Sequence, residues 1–324
     1  MKIRIDHLMP LVVAAVVLSL PPVRVAGQAP APGPTGTRAW LLEKDGDLAG
    51  VGNFRSPSGC PAVASLLRPC ALDKAKRFTP PRTPDGRPNF QGIWGRTAGF
   101  GSTAFEERTA DATAGAGKSM VVDPPDGRIP YQPWAREKRA EIITTYLDQT
   151  ANCLPPGVPR HSIAPGPYQV FQAPGSVTFM TERPGHLRHI PTDGRPHIGP
   201  KVRLWQGDSV GRWDGDTLVI VTTNSNGMAL MNVDMKDFAS PGLHVVERIT
   251  LIDLDQLYYE VTLEDPAVFT RPWTMAWART RWPGKGVELF EDACVEGNRS
   301  NTLSVPNLMF LGLPEAAGGA RRPK

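Results

Sequence analysis

The stretch HVVERITLIDLDQLYYEVTLED, residues 244–265, decides the fold class. Apolar and polar side chains alternate through both of its halves, which is the period of a β-strand with one buried face. One face of the first half carries His244, Val246, Arg248 and Thr250, and the other carries Val245, Glu247, Ile249 and Leu251. Asp255 separates the halves as a turn residue. The stretch therefore predicts two antiparallel strands joined by a hairpin.

Six further short runs rich in β-branched and aromatic residues lie between residues 168 and 293. They are YQVFQA, SVTFMTE, LRHIPT, DTLVIVTT, WTMAWARTR and VELFEDA. Turn residues separate them, among them Asp214-Gly215, and Asp-Gly is a strong hairpin signal. Asp193-Gly194 is interpreted as a turn for the same reason. We therefore predict a mainly β antiparallel meander, either barrel-like, because closure removes exposed sheet edges, or a sandwich.

Helical signals are few. The segment PWAREKRAEIITTYLD begins with Pro133 at a first-turn position, and CPAVASLLRPC fits one short helix closed by a disulfide. The 34 prolines and 32 glycines predict long loops around one or two short helices. We divide the chain into a signal peptide at 1–27, a flexible or irregular segment at 28–78, a β-rich domain at 79–312 and a disordered tail at 313–324.

The first residues have the pattern of an export signal. Lys2 and Arg4 precede an apolar run at residues 11–20, which is too short to span a bilayer. Small residues at Val25-Ala26-Gly27 mark the expected cleavage site. We therefore expect a periplasmic or secreted protein without a stable membrane span after signal removal.

The charge balance argues against a nucleic-acid partner. The net charge is +4, and without residues 1–27 the chain keeps 33 basic and 31 acidic residues. That excess is too small and too dispersed to attract a polyanion. A hydrophobic content of 40% is enough for a packed core.

The four cysteines predict two disulfides, since their number is even and the expected compartment is oxidising. We expect a local bond between Cys60 and Cys70 and a long-range bond between Cys153 and Cys294. The sequence contains no Cys-x-x-Cys, which disfavours a four-cysteine metal site.

Three motifs resemble those of a large set of exported bacterial proteins of unknown function. They are TPDGRPNFQGIW at 83–94, GDSVGRWDGDTLVIVTTN at 207–224 and ACVEGN at 293–298. The resemblance covers about residues 80 to 300 and implies no established activity. The chain departs from the set at Val295, where the similar proteins have histidine. If that histidine serves chemistry in them, this chain lacks it.

A weaker similarity is to lipocalin-like barrels. Gly92-Ile93-Trp94 resembles the Gly-x-Trp that opens their first strand, in which the tryptophan closes one end of the barrel. The helix and long loops between residues 95 and 167 depart from a simple lipocalin order. The similarity implies a barrel with a cavity for a small ligand.

His244, Glu247 and His197 are the candidate catalytic residues. Glu247 lies among aliphatic residues on its strand face, and burial would raise its pKa into a range that suits acid–base chemistry. His197 follows Pro196 in an irregular segment, and loops on a rigid sheet often carry binding groups. The alternative is a solvated outer face with cross-strand ion pairs such as Glu260 with Arg248.

The candidate binding residues are Arg248, Arg271, Trp273 and Trp213. An arginine beside a tryptophan recognises a carboxylate or stacks on a ring. The many aromatic residues line an apolar cavity or fill an ordinary core.

A metal site is disfavoured. His186, His189 and His197 lie close to Glu182 in sequence, but His186 and His189 face opposite sides of a regular strand. The sequence also lacks the Gly-x-Ser-x-Gly, P-loop, dinucleotide-binding and His-Glu-x-x-His motifs, so we predict neither metal nor cofactor.

Two functions remain. The first is an exported protein that binds a small apolar or aromatic ligand in a barrel-like cavity. The second is a secreted isomerase, dehydratase or hydrolase that uses His/Glu acid–base chemistry there.

Overall fold

The computed structural model describes residues 56–96, 105–109, 117–163, 166–182, 186–232, 236–282, 288–294 and 312–313. The predicted signal peptide, the first part of the irregular segment and the predicted tail after Leu313 lie outside these residues. Leu313 itself is buried against the core. No described helix is both long enough and apolar enough to cross a membrane.

The described residues form ten strands and three α-helices, so the mainly β prediction is confirmed. The strands are β1 (Gly92–Arg96), β2 (Val121–Asp123), β3 (Tyr168–Ala173), β4 (Ser176–Thr181), β5 (Leu187–Pro191), β6 (Asp208–Asp214), β7 (Thr217–Thr223), β8 (His244–Asp253), β9 (Gln256–Glu264) and β10 (Trp273–Arg281). The helices are α1 (Ala64–Arg77), α2 (Pro133–Thr145) and α3 (Arg160–Ile163), with a 3₁₀ turn at Gln149–Asn152. One predicted run is wrong: residues 288–293 of VELFEDA are not a strand.

The strands form one antiparallel sheet in the order β5-β4-β3-β1-β10-β9-β8-β7-β6, and β2 pairs with β10 beside this path. Most neighbours are consecutive hairpins, as a meander requires. The short strand β1 pairs with both β3 and β10 and so joins the two halves of the sheet. The edge strands β5 and β6 approach each other, with Cα atoms within 8 Å. The sheet is therefore a nearly closed barrel. This is the first of the two predicted architectures, and the alternative, a sandwich, is not formed.

The gap between β5 and β6 is the seam of the barrel. The described residues show no backbone ladder across it. Gly211 of β6 lets the side chains of β5 pack close, because a Cβ there would lie 2.9 Å from Cγ2 of Ile190. The same Cβ would lie 3.0 Å from Cγ2 of Thr192. Side chains from Ile190 and Thr192 therefore close the seam by packing against the backbone of Gly211.

Strand alternation sets the interior of the barrel. In β8 the side chains of Val245, Glu247, Ile249 and Leu251 point inward and are at most 2% exposed. Between them Val246 and Thr250 are partly exposed and Arg248 is exposed. The alternation predicted that these two sets of residues share opposite faces, and the structure shows that the face with Glu247 is the buried one.

Helix α1 covers the outer face of the sheet. Its residues Leu67 and Ala71 are buried against Tyr258, Ala276 and other outward residues of the strands. The predicted disulfide between Cys60 and Cys70 ties the helix to the segment before it, with a Cα–Cα distance of 5.7 Å. The segment that we expected to be flexible or irregular up to residue 78 therefore contains a 14-residue packed helix.

Trp94 closes one end of the barrel, which we call the Trp94 end. The ring is fully buried, and its Nε1 donates to the carbonyl of Phe90 at 2.7 Å. The guanidinium of Arg281 lies 4.2 Å from the ring centroid, within range of a cation–π contact.

The opposite end, which we call the α3 end, is covered by α2, α3 and the loop before β8. A buried polar network joins α2 to the loop before β8. Asp237 is fully buried and accepts a hydrogen bond from Tyr131 at 2.8 Å and pairs with Arg139 of α2 at 2.5 Å. The predicted disulfide between Cys153 and Cys294 is also present, with a Cα–Cα distance of 5.7 Å. Cys153 lies shortly before α3 in the sequence.

The predicted turns are also present. Gly215 has φ +58° between β6 and β7, and Gly194 has φ +83° after β5. Positive φ is costly for residues with a Cβ, which explains glycine at both positions. At the second turn the backbone N–H of Arg195 donates to the Asp193 carboxylate at 3.1 Å.

Candidate functional site

A group of polar and aromatic side chains lies inside the barrel among apolar neighbours. We call it the interior cluster, and it comprises His161, Ser162, Tyr168, Arg188, Glu247, Tyr259 and Arg279. None of these residues is more than 3% exposed. Burying polar groups is costly unless they are hydrogen-bonded, so the partners of each member indicate its role.

Arg188 and Glu247 form a bidentate ion pair across the barrel. Nη1 of Arg188 donates to Oε1 of Glu247 at 3.0 Å, and Nη2 donates to Oε2. Two parallel N–H···O bonds are the strongest arrangement of this pair. The contact links β5 directly to β8.

The remaining donors of Arg188 cross the seam. Nε donates to Oγ of Ser209 on β6 at 3.1 Å, and Nη2 donates to Oγ1 of Thr222 on β7 at 2.9 Å. All three guanidinium nitrogens therefore have partners. Arg188 replaces part of the backbone ladder that is missing at the seam, because one side chain joins β5 to three other strands.

Helix α3 enters the barrel and contributes His161 and Ser162. The hydroxyl of Ser162 donates to Oε1 of Glu247 at 3.3 Å. Its carbonyl accepts from Nε and Nη2 of Arg279 at 3.0 and 2.6 Å. The last carbonyls of a helix lack helical partners, and the helix has only four residues, so this carbonyl is available to the guanidinium.

His161 is the member whose polar atoms are least satisfied. Neither ring nitrogen makes a hydrogen bond of normal geometry to a described residue. Burial lowers its pKa to about 3, and the positive charge of Arg188 lowers it further. The imidazole is therefore neutral at neutral pH, with one N–H donor and one acceptor nitrogen directed into the barrel interior.

Tyr168 and Tyr259 bring two phenol groups to the same cluster. The two buried hydroxyls interact with each other, and that of Tyr259 also interacts with Ser162, but none of these contacts has the geometry of a normal hydrogen bond. Burial raises the pKa of Tyr168 to about 12 and that of Tyr259 well above its usual value. Both phenols are therefore protonated donors at neutral pH. Arg279 lies 5.3 Å from the Tyr168 ring centroid, and Trp277 stacks on Tyr259 at 5.0 Å.

The cluster thus combines an ion pair in which every Arg188 nitrogen has a partner with buried side chains that make no hydrogen bond of normal geometry. Each buried polar group without a partner costs about 1–3 kcal/mol. Such groups in a native fold call for an explanation, such as a bound molecule or ordered water. The chemistry available here is hydrogen-bond donation to a ligand oxygen, next to aromatic rings.

The predicted catalytic residues do not converge. His244 lies on the outer face of β8, whereas Glu247 points inward, as their alternation indicated. His197 lies in the loop before β6, where its Nδ1 is 2.7 Å from Oδ2 of Asp208. Asp208 also accepts from the backbone N–H of Ile198 at 3.0 Å, so this histidine anchors a loop rather than joining the interior cluster.

The predicted binding residues are also spread over the molecule. Arg248 is exposed and donates to Asp214 at 2.9 Å. The alternative ion pair of Arg248 with Glu260 is not formed: the two residues are opposite in register, but Glu260 pairs with Arg68 of α1 at 2.8 Å. Outer-face ion pairs are present, with partners that the sequence did not indicate.

The side chains of Arg271 and Trp273 lie in different environments, one at the surface and one in the core. Arg271 is exposed and pairs with Asp123 at 2.5 Å, whereas Trp273 is fully buried against Phe269. They therefore do not form one recognition surface. Trp213 is half-buried at the Trp94 end and packs edge-on against Phe90 at 5.3 Å.

The histidines considered as metal ligands are separated. His189 is exposed and lies 3.1 Å from the hydroxyl of Thr178, and burial lowers the pKa of His186. Within the described ranges no group of three or more His, Cys, Asp or Glu side chains is arranged to hold a metal ion.

Sequence reasoning missed His161, Arg188 and Arg279. Arg188 had a usable signal, since it shares a strand face with Ile190, and Arg279 shares one with Trp277. His161 had none, because α3 is too short for a periodic pattern. Comparisons with known proteins add no assignment: no protein-family model matches the chain, and no curated protein sequence matches it.

Proposed function

We propose that the protein is an exported barrel that binds a small ligand at the interior cluster. The ligand has an aromatic or apolar body and an oxygen acceptor, such as a carbonyl or carboxylate. The observation that carries the proposal is His161, which is fully buried and whose ring nitrogens make no hydrogen bond of normal geometry among the described residues, beside two protonated phenols whose mutual contact is equally poor. The two disulfides support export, because such bonds persist in oxidising compartments.

The side chains around the cluster match both parts of such a ligand. Tyr168, Phe179, Tyr259 and Trp277 offer ring faces for the body. The N–H of neutral His161 and the two phenol O–H groups offer donors for the acceptor oxygen. Entry would be from the α3 end, since α3 is the short element that brings His161 inside.

The enzyme alternative is retained, with a different histidine. Glu247 and a histidine do lie in one buried cluster, but the histidine is His161 rather than His244 or His197. A general acid or base works best when its pKa is near the operating pH. The pKa of His161, about 3, and that of Tyr168, about 12, are both far from neutral, which favours binding over proton transfer.

The test is a tryptophan-fluorescence titration of the purified, oxidised protein. The probes are benzoate, phenylacetate and 4-hydroxybenzoate, with benzylamine as the cationic comparison. We expect saturable quenching by one or more carboxylates and none by benzylamine. His161→Leu should lose the response, and Tyr259→Phe should weaken it while keeping the ring.

Trp134→Phe is the matched control, because Trp134 lies on α2 and is 43% exposed. It should titrate as wild type. The proposal fails if no probe gives saturable quenching or if folded His161→Leu binds as wild type does. Turnover of an ester or enolisable probe, lost in Glu247→Gln, would favour the enzyme instead.

A further inference from the structure

A polar cavity of about 180 Å³ lies at the Trp94 end, at the opposite end of the barrel from α3. Its lining includes Asp85, Arg87, Gln172, Ser176, Thr192 and Trp213. Asp85 and Arg87 belong to an Asp-Gly-Arg turn that has no part in the proposed function. The cavity is therefore separate from the interior cluster in residues and in position.

We infer that this cavity is a second binding site, for a small neutral hydroxylated molecule such as a monosaccharide or polyol. The carboxylate of Asp85 accepts hydrogen bonds and the guanidinium of Arg87 donates them. Because both residues line the same cavity, a ligand that carries a single charge would be attracted by one of them and repelled by the other. Hydroxyl groups both donate and accept, so they satisfy the two residues together.

The cavity wall also carries Ser176, Thr192 and Gln172, whose side chains both donate and accept hydrogen bonds. Trp213 adds an aromatic ring beside them, and an amphipathic ring suits the C–H face of a sugar. The ring is fixed from behind by its edge contact with Phe90 at 5.3 Å. The cavity lining is therefore mainly polar, with Trp213 as its aromatic member, as a hydroxylated ligand requires.

The turn that carries the charged pair is held rigid. The backbone N–H of Thr83 donates to the Arg87 carbonyl at 2.8 Å, and the N–H of Gly86 donates to the Thr83 carbonyl at 2.8 Å. The hydroxyl of Thr83 donates to Oδ1 of Asp85 at 2.5 Å. A rigid site loses less conformational entropy on binding than a mobile one.

The wall opposite this turn is fixed as well. Oε1 of Gln172 accepts from the backbone N–H of Phe90 at 2.5 Å, and its Nε2 donates to the carbonyl of Pro88 at 2.9 Å. The cavity is smaller than the roughly 300 Å³ of the smallest usual ligand pockets. It therefore fits one sugar ring, with a dissociation constant on the order of 1 mM.

The experiment is ligand-observed NMR on the full, oxidised chain. The neutral probes are glycerol, methyl α-glucopyranoside, galactose and xylose, and the charged probes are glucuronate and glucosamine. Arg87→Ala tests the site, because Arg87 is exposed and its loss should leave the fold intact. Arg128→Ala is the matched control, since it lies in another exposed Asp-Gly-Arg turn outside the cavity.

We expect saturable binding of at least one neutral probe, weakened roughly tenfold by Arg87→Ala and unchanged by Arg128→Ala. Trp213→Phe should weaken binding as well while keeping a ring against Phe90. Binding of glucuronate alone would overturn the inference in favour of an anion site. No saturable binding by any neutral probe, or equal binding by wild type and Arg87→Ala, would also overturn it. His161→Leu should bind the sugar as wild type does, which separates this result from the proposed function.

Discussion

Replacing Arg188 by methionine should destabilise the barrel strongly. The substitution leaves the Glu247 carboxylate 0% exposed, with the Ser162 hydroxyl as its remaining hydrogen-bond donor among the described residues. Removing one partner of a buried ion pair typically costs about 3–5 kcal/mol, because the other charge is left uncompensated. The bonds of Arg188 to Ser209 and Thr222 are lost too, although these hydroxyls bond to each other at 2.9 Å.

The size of the expected loss follows from the size of the domain. For a β-rich domain of this length a loss of 1 kcal/mol lowers Tm by about 2–4 °C. A loss of 3–5 kcal/mol therefore lowers Tm by roughly 6–20 °C. Circular dichroism during heating and urea unfolding both measure the change, and the oxidised wild type is the reference.

A double variant separates the pair from its parts. Arg188→Met with Glu247→Leu removes both charges and keeps the volume filled, so it should recover most of the stability, as replaced buried pairs commonly do. Arg248→Met is the control, because Arg248 forms an exposed ion pair that is worth about 0–1 kcal/mol. If Arg188→Met melts within about 2 °C of wild type, well below the roughly 6 °C that is the smallest shift expected, the reasoning is refuted.

Three further predictions use the same unfolding assays. His161 has a folded-state pKa of about 3 against 6.5 in the unfolded chain, so the unfolded state binds more protons between these values. Stability should fall by up to about 1.4 kcal/mol per pH unit as the pH drops below 6.5, and His161→Leu should remove this part of the slope. Gly211→Ala should cost about 1–3 kcal/mol by overpacking the seam, whereas Gly199→Ala, which meets nothing within 4 Å, should be neutral. Cys294→Ala should cost about 2–4 kcal/mol, and a non-reduced peptide digest of wild type should contain the peptide linked to Cys153.

The sequence predicted most of the sheet, because its strands have one buried face. The alternation in residues 244–265 predicted two strands and their hairpin, which the structure contains, and it left open which face of the first strand points inward. The Asp-Gly turns were predictable for a local reason, since positive φ selects glycine. Strand β1 joins the halves of the sheet through only five residues, and such a long-range pairing has no local pattern.

The interior cluster was predictable only in part. Burial of Glu247 was one of the alternatives that the sequence left open, and its partner lies on a strand 59 residues away in sequence. In β5 the charged Arg188 points inward while Leu187 is 63% exposed, which reverses the usual hydrophobic preference. The requirement for closure across the seam explains the reversal, and no property of five isolated residues reveals that requirement. His197 was chosen for its loop position, and its bond to Asp208 is a tertiary contact that the loop does not encode.

The bond between Cys153 and Cys294 determines how the protein responds to a pulling force. It closes a loop of sequence separation 141, and strands β3 to β10 all lie inside that loop. Tension applied at the two ends of the chain passes through the covalent bond and bypasses those eight strands. The described sheet contacts that tension can reach are those of β1 and β2, which lie outside the loop. The oxidised barrel should therefore resist extension after these short strands detach, and a reductant should make its whole length extensible.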